Sequence, residues 1–89
     1  MFTTDAHCDT LYNIAIQGVA PENCCVTPER LRAGDVGLQT FAMFSSLRRP
    51  DPHADGLEML KAYRRLPLPH LDGALPEQPP RTPSAVLSI

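Results

Sequence analysis

The stretch Val36-Gly37-Leu38-Gln39-Thr40-Phe41-Ala42-Met43-Phe44-Ser45 decides the fold class of this chain. Its apolarity is nearly continuous, which is typical of a strand that is covered on both faces. Strands of parallel sheets are buried in this way because the helices that connect them cross over the sheet. Gly37 permits a tight entry into the strand. The stretch therefore predicts a strand of a parallel sheet.

The segments on either side of this strand alternate between strand-like and helix-like patterns. Short apolar segments at 2–8 and 85–89 predict a first and a third strand. Helices are predicted over 10–17, 27–34 and 55–66. Strands and helices that alternate in this order indicate parallel α/β units.

Each predicted helix carries a recognisable signal. Gly18 is placed to end the first helix in the left-handed conformation. Thr27 can cap the second helix, and Gly34 follows its last residue. The third helix has an apolar stripe at helical spacing, which we interpret as packing against a sheet. The stripe consists of Met59, Ala62, Tyr63 and Leu66, and Pro67 stops the helix.

Length and composition restrict the chain to one small domain, 1–89. The net charge of −2 gives no excess of positive charge that would indicate nucleic-acid binding. We interpret the pairs Arg48-Arg49 and Arg64-Arg65 as solvated surface residues. The sequence shows no signal peptide and no membrane segment. Its three cysteines are odd in number, which indicates reduced thiols and a cytoplasmic protein. Six of the ten prolines fall in 67–83, which predicts a long proline-rich connection.

The stretch Asp5-Ala6-His7-Cys8-Asp9-Thr10 carries the strongest chemical signal, at the end of the predicted first strand. Side chains alternate along a strand, so His7 and Asp9 point to one face and Cys8 to the other. An imidazole and a carboxylate side by side make half of a divalent metal site. The carboxyl ends of parallel strands are where α/β folds assemble such sites. The alternative is a satisfied buried histidine beside an aspartate that caps the next helix.

The other potential metal ligands are interpreted as non-ligands. Cys8, Cys24 and Cys25 lack the spacing of about two to four residues found in structural zinc sites. His53 and His70 lie beside prolines and are expected to be solvated loop residues. The sequence contains no Gly-rich phosphate loop and no Ser/His/Asp set, so no catalytic or organic-cofactor residue is assigned.

Two blocks of the sequence resemble the membrane dipeptidase (renal dipeptidase-like) family of zinc peptidases. The stretch 2–12, which reads Phe-Thr-Thr-Asp-Ala-His-Cys-Asp-Thr-Leu-Tyr, resembles the opening of that family. The stretch 30–44 resembles its short helix, glycine turn and second barrel strand, and 85–89 resembles its third strand. Aspartate at position 9 favours this family over the broader amidohydrolase-like barrels, which open with His-x-His.

The resemblance implies an α/β fold that forms the first three β/α units of a (β/α)8 TIM-type metallohydrolase barrel, incomplete in this chain. Family members hydrolyse dipeptides at a binuclear zinc centre through a metal-bridging hydroxide. The resemblance implies that His7 and Asp9 bind one zinc ion, and that a bridging glutamate would come directly after Ile89. We therefore expect a zinc-dependent dipeptidase by descent, with dipeptides as substrates, whose 89-residue N-terminal part is not competent alone.

Three other hypotheses stay open at this point. The chain could be a short non-catalytic α/β protein that associates with a partner, or a piece of another amidohydrolase-like barrel. A third possibility is a small α/β binding module with an accidental likeness to the family. An exposed edge of the third strand favours self-association.

Overall fold

Three parallel strands form one sheet, in the order β1-β2-β3, in the computed structural model of the chain. The structure describes residues 3–44, 48–71 and 82–88. Both strand pairs are parallel, so the α/β fold class and the three predicted strands are confirmed. The strands are β1 (Thr3–Asp5), β2 (Val36–Ala42) and β3 (Ser84–Ser88).

β1 and β2 are shorter than the sequence predicts, whereas β3 begins one residue earlier than predicted. β1 ends at Asp5, three residues before the predicted end at Cys8. β2 ends at Ala42, after which Met43 donates its amide proton to the carbonyl of Ser88 at 2.7 Å. Phe2, Ser45 and Ile89, which the prediction included in strands, lie outside the described residues. The regular pairing thus stops just before the segments that carry the chemical signal.

Two short helices and one longer helix connect the strands. They are α1 (Thr10–Ala15), α2 (Pro28–Ala33) and α3 (Pro52–Arg64), with a 3-10 turn at Pro21–Asn23. The Thr27 hydroxyl accepts the Arg30 amide proton at 3.2 Å, as the capping signal predicts. Gly18 has φ +70°, which confirms the left-handed residue expected after α1. None of the helices in the described residues is long and apolar enough to cross a membrane.

The start of α3 differs from the prediction, which treated 49–55 as a loop. The helix begins at Pro52 because the Asp51 carboxylate accepts the Ala54 amide proton at 3.0 Å. Proline suits the first helical position, since that position has no intrahelical partner for an amide proton. The helix ends at Arg64, three residues before Pro67.

All three helices pack on one face of the sheet. Leu11 of α1, Leu31 of α2 and Met59 of α3 belong to the same buried cluster as Phe41 of β2 and Ala85 of β3. The prediction that β2 is covered on both faces is therefore only half right. Buried residues at positions 37, 39 and 41 alternate with half-buried residues at 36, 38 and 40, and the alternation ends at Ala42, which is buried as well.

The outer edge of β3 is partly paired within the chain. Ala85 donates its amide proton to the Pro69 carbonyl at 2.7 Å and accepts the Leu71 amide proton at 2.8 Å. His70 thereby forms a parallel bridge with Ala85. The start of this edge is closed to a second chain, and self-association through the rest stays a prediction. Of the predicted proline-rich connection at 67–83, residues 72–81 lie outside the described part.

Candidate metal centre

His7 and Asp9 lie side by side in the loop between β1 and α1. Nε2 of His7 is 2.7 Å from Oδ1 of Asp9, and the two side chains are 66% and 55% exposed. Cys8 between them is buried and joins the hydrophobic cluster. The predicted alternation of these three side chains therefore holds, although they follow the strand instead of belonging to it.

Asp9 does not cap α1, although it occupies the N-cap position. Its φ of −99° and ψ of 18° depart from the extended backbone of a capping residue, and its side chain makes no capping hydrogen bond. Its carboxylate bonds to the His7 ring instead. The alternative interpretation of this motif, a buried histidine beside a capping aspartate, does not match the structure.

Backbone hydrogen bonds hold the motif at the carboxyl edge of the sheet. The Cys8 carbonyl accepts the Ala42 amide proton at 3.1 Å, which places the end of the first segment against the end of β2. The Asp5 carboxylate accepts the amide proton of His7 at 3.3 Å and so restrains the loop. The His7–Asp9 pair therefore lies at the edge where parallel sheets assemble their sites.

The two side chains can supply two ligands to a divalent metal ion. Donor atoms bound to one tetrahedral zinc ion lie about 3.4 Å apart, given bonds of about 2.0–2.2 Å. The observed 2.7 Å between Nε2 and Oδ1 needs only small side-chain rotations to reach that separation. Among the described residues, no group of three or more His, Cys, Asp or Glu side chains could hold a metal ion. The pair fits zinc as part of a coordination shell.

The cysteines are poor candidates to complete that shell. Burial raises the pKa of the Cys8 thiol, against the opposing effect of a hydrogen bond from Thr10. Burial likewise raises the pKa of Cys24, which is only 2% exposed. A thiol binds metal as a thiolate, so a raised pKa weakens it as a ligand. Both residues are buried free thiols, and the interpretation of the cysteines as non-ligands stays a prediction.

The two remaining histidines lie in different settings. His53 is exposed in the first turn of α3. His70 is half-buried, and its ring stacks on Tyr63 with a centroid distance of 4.5 Å. The prediction that His70 is a solvated loop residue is wrong. Its backbone pairs with Ala85 in a parallel bridge, and its ring lies against Tyr63.

Arg49 and Asp55 form an ion pair that the sequence interpretation missed. Nε and Nη2 of Arg49 donate to the two carboxylate oxygens of Asp55 at 2.9 and 3.0 Å. The hydrogen bond from Arg49 lowers the pKa of Asp55. Arg49 was interpreted as solvated, but its partner is buried at 8% exposure. A usable signal was present, because Asp55 precedes Met59 by four residues on the apolar stripe of α3.

Two aromatic side chains near the motif were also missed. The rings of Tyr12 and Phe44 are stacked, with centroids 4.8 Å apart and planes 16° apart. Tyr12 lies in the first turn of α1, three residues after Asp9, and Phe44 follows the end of β2. The sequence interpretation assigned Phe44 to the apolar run of the strand, where nothing distinguishes it from its neighbours.

Comparison with known proteins returned no relative. A scan against protein-family models matched no family, and searches of curated proteins and of solved structures found no match to this chain.

Proposed function

We propose that this chain forms the first three β/α units of a (β/α)8 metallohydrolase barrel that hydrolyses dipeptides. In this proposal His7 and Asp9 hold one zinc ion of a binuclear centre. The observation that carries it is the exposed His7–Asp9 pair, with its donor atoms 2.7 Å apart, at the carboxyl edge of a parallel sheet. The two sequence blocks that resemble zinc dipeptidases support the substrate class.

The architecture is compatible with a barrel, and the turn after β1 favours a barrel over a doubly wound dinucleotide-binding sheet. All three helices pack on one face of a sheet whose strands follow sequence order. In a (β/α)8 barrel the helices form an outer ring and the inner faces of the strands meet at the barrel axis. One half of a dinucleotide-binding sheet has the same strand order, but its phosphate site needs a Gly-rich turn after the first strand. Here the corresponding turn reads Ala6-His7-Cys8-Asp9.

The chain's own residues would bind and orient the metal. His7 offers Nε2 and Asp9 offers Oδ1, and the negative charge of the carboxylate offsets part of the charge of the dication. A bound zinc ion would polarise a carbonyl oxygen and lower the pKa of water. Catalytic zinc sites usually have about three protein ligands, so two leave the site weak. We therefore expect no appreciable peptidase activity from residues 1–89 alone.

A second candidate is a non-catalytic α/β interaction protein. The face of the sheet opposite the helices favours it, because Leu38, Thr40 and Val86 are only half-buried there. Such a protein would keep the fold and need no metal. Zinc binding separates the two candidates. The metallohydrolase proposal predicts that His7 and Asp9 bind zinc, whereas the function of an interaction protein does not require metal binding by this pair.

Zinc titration of the isotopically labelled chain, followed by NMR, tests the proposal. We expect zinc to shift the His7 ring resonances, and His7→Ala or Asp9→Ala to abolish the binding. His53→Ala is the matched control, because His53 is an exposed histidine outside the motif. Zinc binding that survives His7→Ala, or that His53→Ala removes, would contradict the assignment.

A further inference from the structure

The backbone of His7 lies beyond the regular pairing of the sheet. β1 ends at Asp5, so the strand pairing with β2 does not extend to the residue that carries the imidazole. The His7 amide proton is donated instead to Oδ1 of the Asp5 carboxylate, at 3.3 Å. An aspartate that accepts the amide proton two residues further on forms an Asx-turn. The Asp5 side chain therefore contacts the backbone of the first candidate ligand directly.

The second candidate ligand is held by a different element. Asp9 occupies the N-cap position of α1, and its carbonyl oxygen accepts an amide proton of that helix at 3.1 Å. Cys8, between the two ligands, accepts the Ala42 amide proton at its carbonyl oxygen. The helix and the sheet thus hold Asp9 and Cys8, whereas the Asp5 side chain holds the backbone of His7.

We propose that Asp5 is a positioning residue of the candidate metal centre, which orients His7 for zinc through its hydrogen bond to the His7 amide. This inference rests on the proposed function, in which His7 and Asp9 bind zinc. Both ligand side chains are more than half exposed, so packing does little to fix them. A ligand that is oriented before the metal binds loses less freedom on binding. Groups that orient metal ligands through hydrogen bonds typically change metal affinity by about 10–100-fold.

Two properties of the Asp5 carboxylate, its acceptor oxygen and its negative charge, predict different effects of substitution. Asp5 is exposed, and water and salt weaken the attraction between an exposed carboxylate and a cation. The hydrogen bond to the His7 amide needs an acceptor oxygen and no charge. Asp5→Asn keeps an acceptor oxygen and removes the charge, whereas Asp5→Leu has nearly the same size and removes both. Positioning through the hydrogen bond therefore predicts that these two variants differ.

Zinc titration of the isotopically labelled full chain, followed by NMR, tests this role together with hydrogen exchange of the His7 amide. We expect Asp5→Leu to weaken zinc binding about tenfold and to speed the exchange of this amide. Asp5→Asn should keep both the affinity and the exchange rate close to those of the wild type. Thr4→Ala is the matched control, because Thr4 is an exposed residue of the same strand, and it should change neither.

A second variant without an acceptor separates the hydrogen bond from the apolar character of leucine. Asp5→Ala should reproduce the loss seen in Asp5→Leu. Wild-type zinc affinity in both variants overturns the role of Asp5 and leaves the proposed function in place. An equal loss in Asp5→Asn and Asp5→Leu also overturns it, because the charge would then account for the loss. A wild-type chain that binds no zinc overturns the proposed function, and the role of Asp5 with it.

Discussion

The carboxylate of Asp9 accepts its hydrogen bond from the ring of His7, at 2.7 Å, and not from the helix that begins at the next residue. Two other helices of this chain do use their N-cap side chains, Thr27 before α2 and Asp51 before α3. Thr27 and Asp51 therefore provide an internal reference for the stabilising effect of an N-cap side chain, against which Asp9 can be compared.

Replacing Asp9 should cost less stability than replacing a residue that caps. We expect Thr27→Ala to lower the free energy of unfolding by about 1 kcal/mol, the usual cost of losing a cap. Asp9→Ala should cost at most about 0.5 kcal/mol, through the loss of a negative charge near the start of α1. Chemical denaturation of both variants measures the difference. An equal cost for the two substitutions would mean that the Asp9 side chain stabilises the start of α1, and would contradict its assignment as a metal ligand.

Gly18 and Gly56 should respond to alanine in opposite directions. Gly18 has φ +70°, so Gly18→Ala should destabilise the chain by about 1–2 kcal/mol through backbone strain alone. Gly56 lies inside α3, where Gly56→Ala should stabilise by about 0.5–1 kcal/mol. An added Cβ meets nothing within 4 Å at either position, so crowding does not contribute. Thermal unfolding of the two variants checks both signs, and two shifts of the same sign would contradict the backbone assignment.

The Arg49–Asp55 pair should make stability depend on pH. Because Arg49 lowers the pKa of Asp55, the Asp55 carboxyl group binds its proton less tightly in the folded chain than in the unfolded chain. The contribution is present above the ordinary carboxyl pKa of 3.8, and it is lost as the pH falls through the lower value of the folded state. Asp55→Asn should therefore lower the melting temperature at neutral pH and flatten its fall as the pH drops below the ordinary carboxyl value of 3.8.

A surface ion pair provides the control for that measurement. Glu58 and Lys61 lie one helical turn apart at 3.1 Å, and both side chains are more than half exposed. Exposed pairs contribute little, so Glu58→Gln should leave the melting temperature and its pH profile almost unchanged. If Asp55→Asn behaves like Glu58→Gln, the Arg49–Asp55 pair, in which only Asp55 is buried, does not stabilise the start of α3.

The Tyr63 hydroxyl should stabilise the attachment of β3. It donates to the carbonyl of Ala85 at 3.3 Å inside the buried cluster. Tyr63→Phe leaves the ring and removes this bond, which should cost about 1 kcal/mol. Tyr63→Ala also removes the ring and should cost about 3–5 kcal/mol. Hydrogen exchange of the β3 amides would show where the loss falls, and protection unchanged in Tyr63→Phe would refute the role of the hydroxyl.

Local signals predicted the elements, because each depends on neighbours in sequence. The cap at Thr27, the left-handed Gly18 and the apolar stripe of α3 all rest on contacts within one or two turns. The same holds for His7 and Asp9, which alternation alone places on one side of the chain. The extent of the strands was predicted less well, since pairing depends on residues far away in sequence.

The missed features depend on contacts that no short pattern encodes. Phe44 meets Tyr12 across two different elements, and His70 meets Tyr63 only because the chain returns to pair with Ala85. Arg49 reaches Asp55 over a loop whose conformation the sequence does not reveal. The proposed metal site is incomplete for the same reason, because His7 and Asp9 are two residues apart in sequence whereas any further ligands would come from distant segments.

The DNA that follows the codon for Ile89 tests the central claim most directly. The account predicts that an open reading frame there, directly or after one frameshift, encodes Glu-Gly-Gly and then further strands that carry histidines. Those residues would supply the bridging carboxylate and the remaining ligands that His7 and Asp9 need. A stop codon after Ile89, with no barrel-like sequence downstream, would contradict the dipeptidase assignment and favour the non-catalytic interaction protein.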